Sequence, residues 1–230
     1  DEHTLAWANL HLRCAERVLI RVAAFQASTF TELFDQVHAI RWEDLMDVHT
    51  AFPVKGWSLD SQLASVPTCQ KMIKKAIVSR LSEAYGVSWF PEDGALMQVQ
   101  FSLHKDQCDI FLDTSGSGLH KRGYRANSNA APLRETLAAA MLKVARWRGR
   151  DPLIDPFCGS GTIPIEAAMM AVNMAPGMNR DFMAQNWQNV IANRLWYDAV
   201  DEAEENIDKS VVTHIEGYDI DPDMVKIAKE

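Results

Sequence analysis

Pro152-Leu153-Ile154-Asp155-Pro156-Phe157-Cys158-Gly159-Ser160-Gly161-Thr162 is the stretch on which the fold turns. Its first four residues read as a short buried strand that ends in a carboxylate. The chain passes at once into a corner with two glycines around a small Ser, then into a helix predicted over Ile163 to Asn173. Farther on, Ser210 to Asp219 is a second strand candidate that also closes on an acid, and Asp221-Pro222 opens another helix. Strand, helix, strand, helix, with acids at both strand ends, predicts an α/β fold of the doubly wound, parallel-sheet kind.

Several ligands compete for such a corner. A phosphate-binding P-loop needs Lys after its last Gly, and Thr162 stands there, which excludes it. The nicotinamide fingerprint needs a third Gly where Pro164 stands, and an acid about 20 residues on, whereas Asp219 lies 58 residues past Gly161. A nicotinamide-dependent enzyme stays open on that poor match, and so does a glycine corner with a purely structural task. The whole set of features suits S-adenosyl-L-methionine. Backbone N–H groups of Gly159, Ser160, Gly161 and Thr162 can hold its amino-acid end, and Asp219 can accept both ribose hydroxyls. Ile220 then lies near the adenine face, and Asp221 either reaches the adenine amino group or caps the next helix. Asp155 orients the loop or faces the ligand's ammonium. Together with Phe157 these are the candidate cofactor contacts.

Upstream, the rhythm differs. Thr4 to His11 predicts a helix and Val18 to Phe25 a strand. Thr29 to Ile40 predicts a helix in which Thr29 precedes Glu32 by three residues, the spacing of a capping box. Phe52 to Leu59 predicts a strand. After Val66 comes an amphipathic helix that Gly86 ends, with Met72, Ile73, Ala76, Ile77 and Leu81 on one stripe and Lys71, Lys74 and Lys75 on another. Met97 to Leu103 and Cys108 to Asp113 alternate, and His104-Lys105-Asp106 joins them as a hairpin. This mixture predicts a small α+β region up to Thr114. Pro132 to Arg146 predicts a helix with Pro in its first turn. The seven Trp, Trp187 and Trp196 among them, are assigned to the core. Residues 175–210 form a long insertion with a helix and no assigned role.

At 230 residues, 47% hydrophobic and 23% charged, the chain is neither disordered nor repetitive. No apolar run reaches the roughly 18 residues of a membrane helix, and Asp1-Glu2-His3 lacks the opening of a signal peptide. Cys14, Cys69, Cys108 and Cys158 make no Cys-x-x-Cys pair, so no metal is expected and a reduced, cytoplasmic protein is. The net charge of −8 hides an asymmetry: residues 119–150 hold eight Lys/Arg against one Glu, and residues 176–230 hold five against twelve Asp/Glu. A local basic field governs contact with a polyanion, because charges beyond a Debye length of about 8–10 Å are screened.

Asp155-Pro156-Phe157-Cys158-Gly159-Ser160-Gly161-Thr162-Ile163-Pro164-Ile165-Glu166-Ala167-Ala168 resembles the first methyltransferase motif of the THUMP-containing RNA guanine-N2 methyltransferases. Leu119 to Arg125 and Pro132 to Ala140 resemble the stretch that precedes it in that family, and Gly217 to Pro222 resembles the ribose-binding motif. The resemblance implies a class I, Rossmann-like methyltransferase domain over 119–230, a THUMP RNA-binding domain over 51–118 and a ferredoxin-like part over 1–50. It also implies S-adenosyl-L-methionine as cofactor and structured RNA as substrate, ribosomal RNA first and transfer RNA as the alternative. In that family an Asn/Asp-Pro-Pro-aromatic motif holds the target amine, and this sequence contains no Pro-Pro. The chain also opens without Met inside one helical pattern and stops within another, so a truncated domain is expected, with the catalytic motif beyond Glu230. An RNA-binding protein with a non-catalytic methyltransferase-like half stays open on the same observation.

The expected chemistry is displacement at a sulfonium methyl by an exocyclic amine, with the rate coming from positioning and no general base assigned. Candidate RNA contacts are Lys71, Lys74, Lys75, Lys105, Lys121, Arg122 and Arg125, with Tyr124 as a stacking residue among them. Lys143, Arg146, Arg148 and Arg150 could extend that patch.

Overall fold

The computed structural model describes residues 1–125 and 132–229. In chain order the elements are α1 (Glu2–His11), β1 (Leu19–Gln26), α2 (Phe30–His38), β2 (Val54–Leu59), α3 (Val66–Tyr85), β3 (Val99–His104) and β4 (Gln107–Asp113). After these come α4 (Glu135–Val144), β5 (Leu153–Asp155), α5 (Thr162–Ala171), α6 (Asn193–Glu205), β6 (Ile215–Gly217) and α7 (Pro222–Lys229). They form two compact units, neither continuous in sequence. One holds Leu19–Gly116 with Met183–Ala192; the other holds Asp1–Val18, Ser117–Phe182 and Asn193–Glu230. The expected boundaries at 50 and 118 divide the chain differently: β1 and α2 join the later strands in one unit, and residues 1–18 belong to the other.

The first unit is a four-stranded sheet in the order β1-β4-β3-β2. Strands β2 and β3 run parallel, while β4 is antiparallel to both of its neighbours. Period-2 alternation puts Val99, Phe101, Leu103, Cys108, Ile110 and Leu112 on one face, each at most 1% exposed. Helices α2 and α3 supply the other half of this core through Leu33, Val37, Ile73, Ala76, Ile77 and Leu81, all fully buried. Gly56 on β2 has no room for a side chain, because a Cβ there would drive into the ring and carbonyl of Phe101. The hairpin between β3 and β4 turns on Lys105 and Asp106, both with positive φ (52° and 63°), as a two-residue turn matched to strand twist requires.

The helix ends follow their sequence signals. The Glu32 N–H donates to Thr29 Oγ1 at 3.2 Å and the Thr29 N–H donates to Glu32 Oε2 at 3.1 Å, a complete capping box at the start of α2. Gly86 ends α3 in the left-handed conformation, φ 69°. Part of the 175–210 insertion completes this unit: Trp187 is buried and donates its indole N–H to the Leu96 carbonyl at 2.8 Å.

In the second unit β5 and β6 pair in parallel, Asp155 opposite Gly217. Helix α4 packs on α5, and α1 packs on α6. Trp196 of α6 stacks on Phe182 with ring centres 5.4 Å apart. Assignment of every Trp to the core holds for Trp42, Trp187 and Trp196 but not for Trp57 and Trp89, which are 50% and 79% exposed. No helix among the described residues is long and apolar enough to cross a membrane.

Candidate cofactor-binding site

The corner after β5 is held by main-chain hydrogen bonds to β6 and the turn after it. The Tyr218 N–H donates to the Asp155 carbonyl and the Cys158 N–H to the Tyr218 carbonyl, both at 2.8 Å. The Asp155 carboxylate accepts from the Phe157 N–H at 3.1 Å and so sets the first bend. Gly159 and Gly161 take φ of 52° and 81°, values that an L side chain resists. A Cβ on Gly159 would meet nothing within 4 Å, so the corner opens onto free space there.

Asp219 ties the second strand's end to this corner. One carboxylate oxygen accepts from the Gly159 N–H and the other from the Asp221 N–H, each at 2.9 Å. Those donors, Asp221 first and Gly159 second, hold the Asp219 carboxyl below its ordinary range. An ionised carboxylate has about four acceptor positions, so two remain for a diol. Asp221 accepts from the Asp223 N–H at 2.9 Å, which makes it the cap of α7. Ile220 is fully exposed and Phe157 is 86% exposed, one at each rim of the corner.

Helix α5 starts at Thr162 with Gly161 as its cap residue, so no side chain caps it. Among the described residues the Thr162 and Ile163 N–H groups have no protein acceptor, and Pro164 brings no donor. Two free N–H groups at a helix start make an anion site. Ser160 and Thr162 are 5% and 4% exposed, their hydroxyls taken up by Arg125, which reaches Ser160 Oγ at 3.0 Å and also donates to Thr162 Oγ1. The Arg125 Nε lies 2.9 Å from Glu135 at the start of α4. Burial, aided by Asp155 and Asp219, pushes the Cys158 thiol up, which disfavours the thiolate. The site thus brings together all nine expected cofactor contacts. A neighbouring cavity of about 400 Å³ is lined by Tyr124, Arg125, Ser160, Ile165 and Ala228 among others.

The expected RNA contacts separate. Lys71, Lys75, Lys105 and Lys121 are exposed, with the Lys75 ammonium 5.8 Å from the centre of the Phe34 ring. Lys74 is half-buried, paired with Glu92 and 4.8 Å above the Phe52 ring, so part of its charge is spent inside its own unit. Arg122 is withdrawn altogether. It is 2% exposed, pairs with the fully buried Glu166 at 3.1 Å, and donates to the Arg13 and Leu119 carbonyls. A phosphate cannot reach it. Arg125 faces the glycine corner instead of a free surface, and Tyr124 is half-buried, with burial raising the pKa of its hydroxyl. Sequence reasoning missed Glu135 and Glu166 as partners of these arginines. The signal was there in part, since each acid sits on an otherwise apolar helix face.

Among the described residues no three His, Cys, Asp or Glu side chains gather as metal ligands.

Residues 27–113 match the family model of the THUMP domain, and residues 122–230 match that of the RMKL-like methyltransferase domain. The chain pairs a THUMP domain with an RMKL-like methyltransferase domain. Over its whole length it is 48% identical to the Bacillus subtilis (strain 168) protein named "Putative RNA methyltransferase YpsC", and spans 60% of that protein. It is 33% identical to a Buchnera aphidicola protein named ribosomal RNA large subunit methyltransferase K/L, over 99% of this chain and 33% of that one. Two solved structures cover the fold. A Listeria monocytogenes protein, described as a "predicted N6-adenine-specific DNA methylase", superposes with TM-score 0.95 at 46% identity. The protein SMU.472, described as "a putative methyltransferase complexed with SAH", gives 0.91 at 41% identity. This chain covers 100% and 99% of itself in those matches and 60% of each solved chain.

Proposed function

We propose that this chain binds S-adenosyl-L-methionine at its glycine corner, as part of an RNA methyltransferase of the ribosomal large-subunit K/L type that acts on the N2 amino group of a guanine. The observation that carries the cofactor reading is the Asp219 carboxylate, locked beside Gly159 with two acceptor positions left for a ribose diol. The unpartnered Thr162 and Ile163 N–H groups suit the carboxylate of an amino-acid tail, and the open space at Gly159 admits it. Such a cofactor supplies an electrophilic methyl group on a sulfonium. The described residues bind and orient, and rate arises from positioning. The SAH bound by the SMU.472 protein supports this reading, and the ribosomal substrate of the K/L relatives supports RNA as the acceptor.

Calorimetry with S-adenosylmethionine and with NAD separates the two cofactors. Heat from the methyl donor is expected, and heat from NAD alone would overturn the reading. The acceptor base is tested by nucleoside analysis of large-subunit RNA from cells with and without the gene. Loss of N2-methylguanosine is expected; loss of N6-methyladenosine in its place would move the acceptor to adenine.

A further inference from the structure

We propose that the open face of the four-stranded sheet is a stacking platform for an unpaired stretch of RNA, with Trp57 as the residue that receives a base. The proposal rests on the RNA-methyltransferase reading for its choice of polymer, and on the sheet for everything else. Strand register sets the face: Trp57 stands beside Ser102 and Ser102 beside Asp109, while the next row runs Lys55, Gln100, Phe111, Arg21. The opposite face is the one sealed by α2 and α3, so these rows point away from the core. Trp57 is 50% exposed in the middle of an edge strand.

The neighbours of that indole decide what fits it. A protein partner or a second copy would favour a continuous apolar patch, but Trp57 has only the exposed Leu59 beside it on β2 and is otherwise bordered by Lys55, Ser102 and Gln100. An indole face with polar groups around it offers a base its π-surface and its edge contacts. The charge also fits a polyanion. The acid in these rows, Asp109, lies 3.5 Å from the Arg21 guanidinium, whose side chain is still 66% exposed. Lys55 is exposed and has no recorded ion pair among the described residues. A base inside a duplex cannot reach a sheet surface, so the strand must be unpaired. This face and the Lys71 and Lys75 surface of α3 belong to opposite layers of the unit, which makes them separable by mutation.

The experiment measures fluorescence anisotropy of labelled oligouridylate and of a labelled blunt hairpin against the intact chain, as wild type, W57A, W57F, K55E and K75E. W57A should weaken oligouridylate binding by about tenfold or more and leave the hairpin unchanged, while W57F retains most of the affinity. K55E should weaken binding and lower the slope of log affinity on log salt by about one. Unchanged melting of W57A shows that an exposed side chain was removed without harm to the fold. Oligouridylate affinity of W57A within about twofold of wild type overturns the proposal. So does equal loss for oligouridylate and hairpin, or a wild-type dimer in sedimentation that W57A dissociates. The transferase reading fails separately: no heat with S-adenosylmethionine, alongside Trp57-dependent RNA binding, would sink that reading and leave the platform standing.

Discussion

Asp219 and Glu166 are two carboxylates in opposite situations, and each makes a pH prediction. Asp219 is held below its ordinary range by N–H donors from Asp221 and Gly159. Its contribution is therefore present above an unfolded value of about 3.9 and is lost only as pH falls through the lower folded value. Titration calorimetry should find affinity for the methyl donor flat between about pH 5 and 8, and D219A should lower it by about 10- to 100-fold through two lost hydrogen bonds to a charged acceptor. Glu166 is pushed up by burial, against the opposing pull of Arg122. A raised carboxyl favours the fold below its unfolded value of about 4.3, and that stability declines as pH rises through the folded value. R122A leaves a buried unpaired charge and should cost about 3–5 kcal/mol at neutral pH by denaturant titration. Its melting temperature should rise as pH drops from about 7 toward 5, since a protonated Glu166 needs no partner. The corner was legible in the sequence because its residues are set by local spacing. The fate of Arg122 was not, because a basic residue in a basic run looks the same whether it meets solvent or an acid 44 positions later.

Elements were read best where a chemical signal stands at the end of a pattern. The capping box at Thr29, the Gly86 stop and the turn at Lys105-Asp106 are such signals, and all three stand as the sequence spells them. T29A should destabilise by about 1 kcal/mol in urea titration, because it leaves the Glu32 N–H without its acceptor. A value near zero would mean that the N-terminus of α2 is held by packing alone. Strand β6 is shorter than its apolar run suggested. Its pairing spans Ile215–Gly217 because β5 offers only Leu153–Asp155, so His214 lends the ladder only its carbonyl, to the Leu153 N–H, and Ser210 to Thr213 stay outside it. A run of β-formers states willingness to pair, and the partner's length decides how much of it does.

At the scale of the whole molecule the charge asymmetry makes the prediction. A net charge of −8 would keep RNA away if it were spread evenly, so binding should depend on the local basic residues and fall steeply with salt. K71E combined with K75E, in filter binding across a salt series, should reduce the slope of log affinity on log salt by about two if both lysines neutralise phosphates. An unchanged slope removes α3 from the interface. Domain boundaries were the least legible feature. The bound at 50 was implied by the resemblance alone and the one at 118 followed a change of rhythm after Thr114, but compactness is decided by packing between distant segments, and neither unit is one stretch of chain.

That interleaving has a bearing on synthesis. Helix α1 is made well before the helix it packs against, α6, which begins only at Asn193. The sheet around β1 to β4 likewise waits for Trp187 to bury its indole against the Leu96 carbonyl. A nascent chain emerging from the ribosome therefore cannot complete either unit until α6 and Trp187 have followed the segments they pack on. Leu10 of α1 travels exposed until α6 has been made, so a helper that shields α1 would act on this chain before the cofactor could.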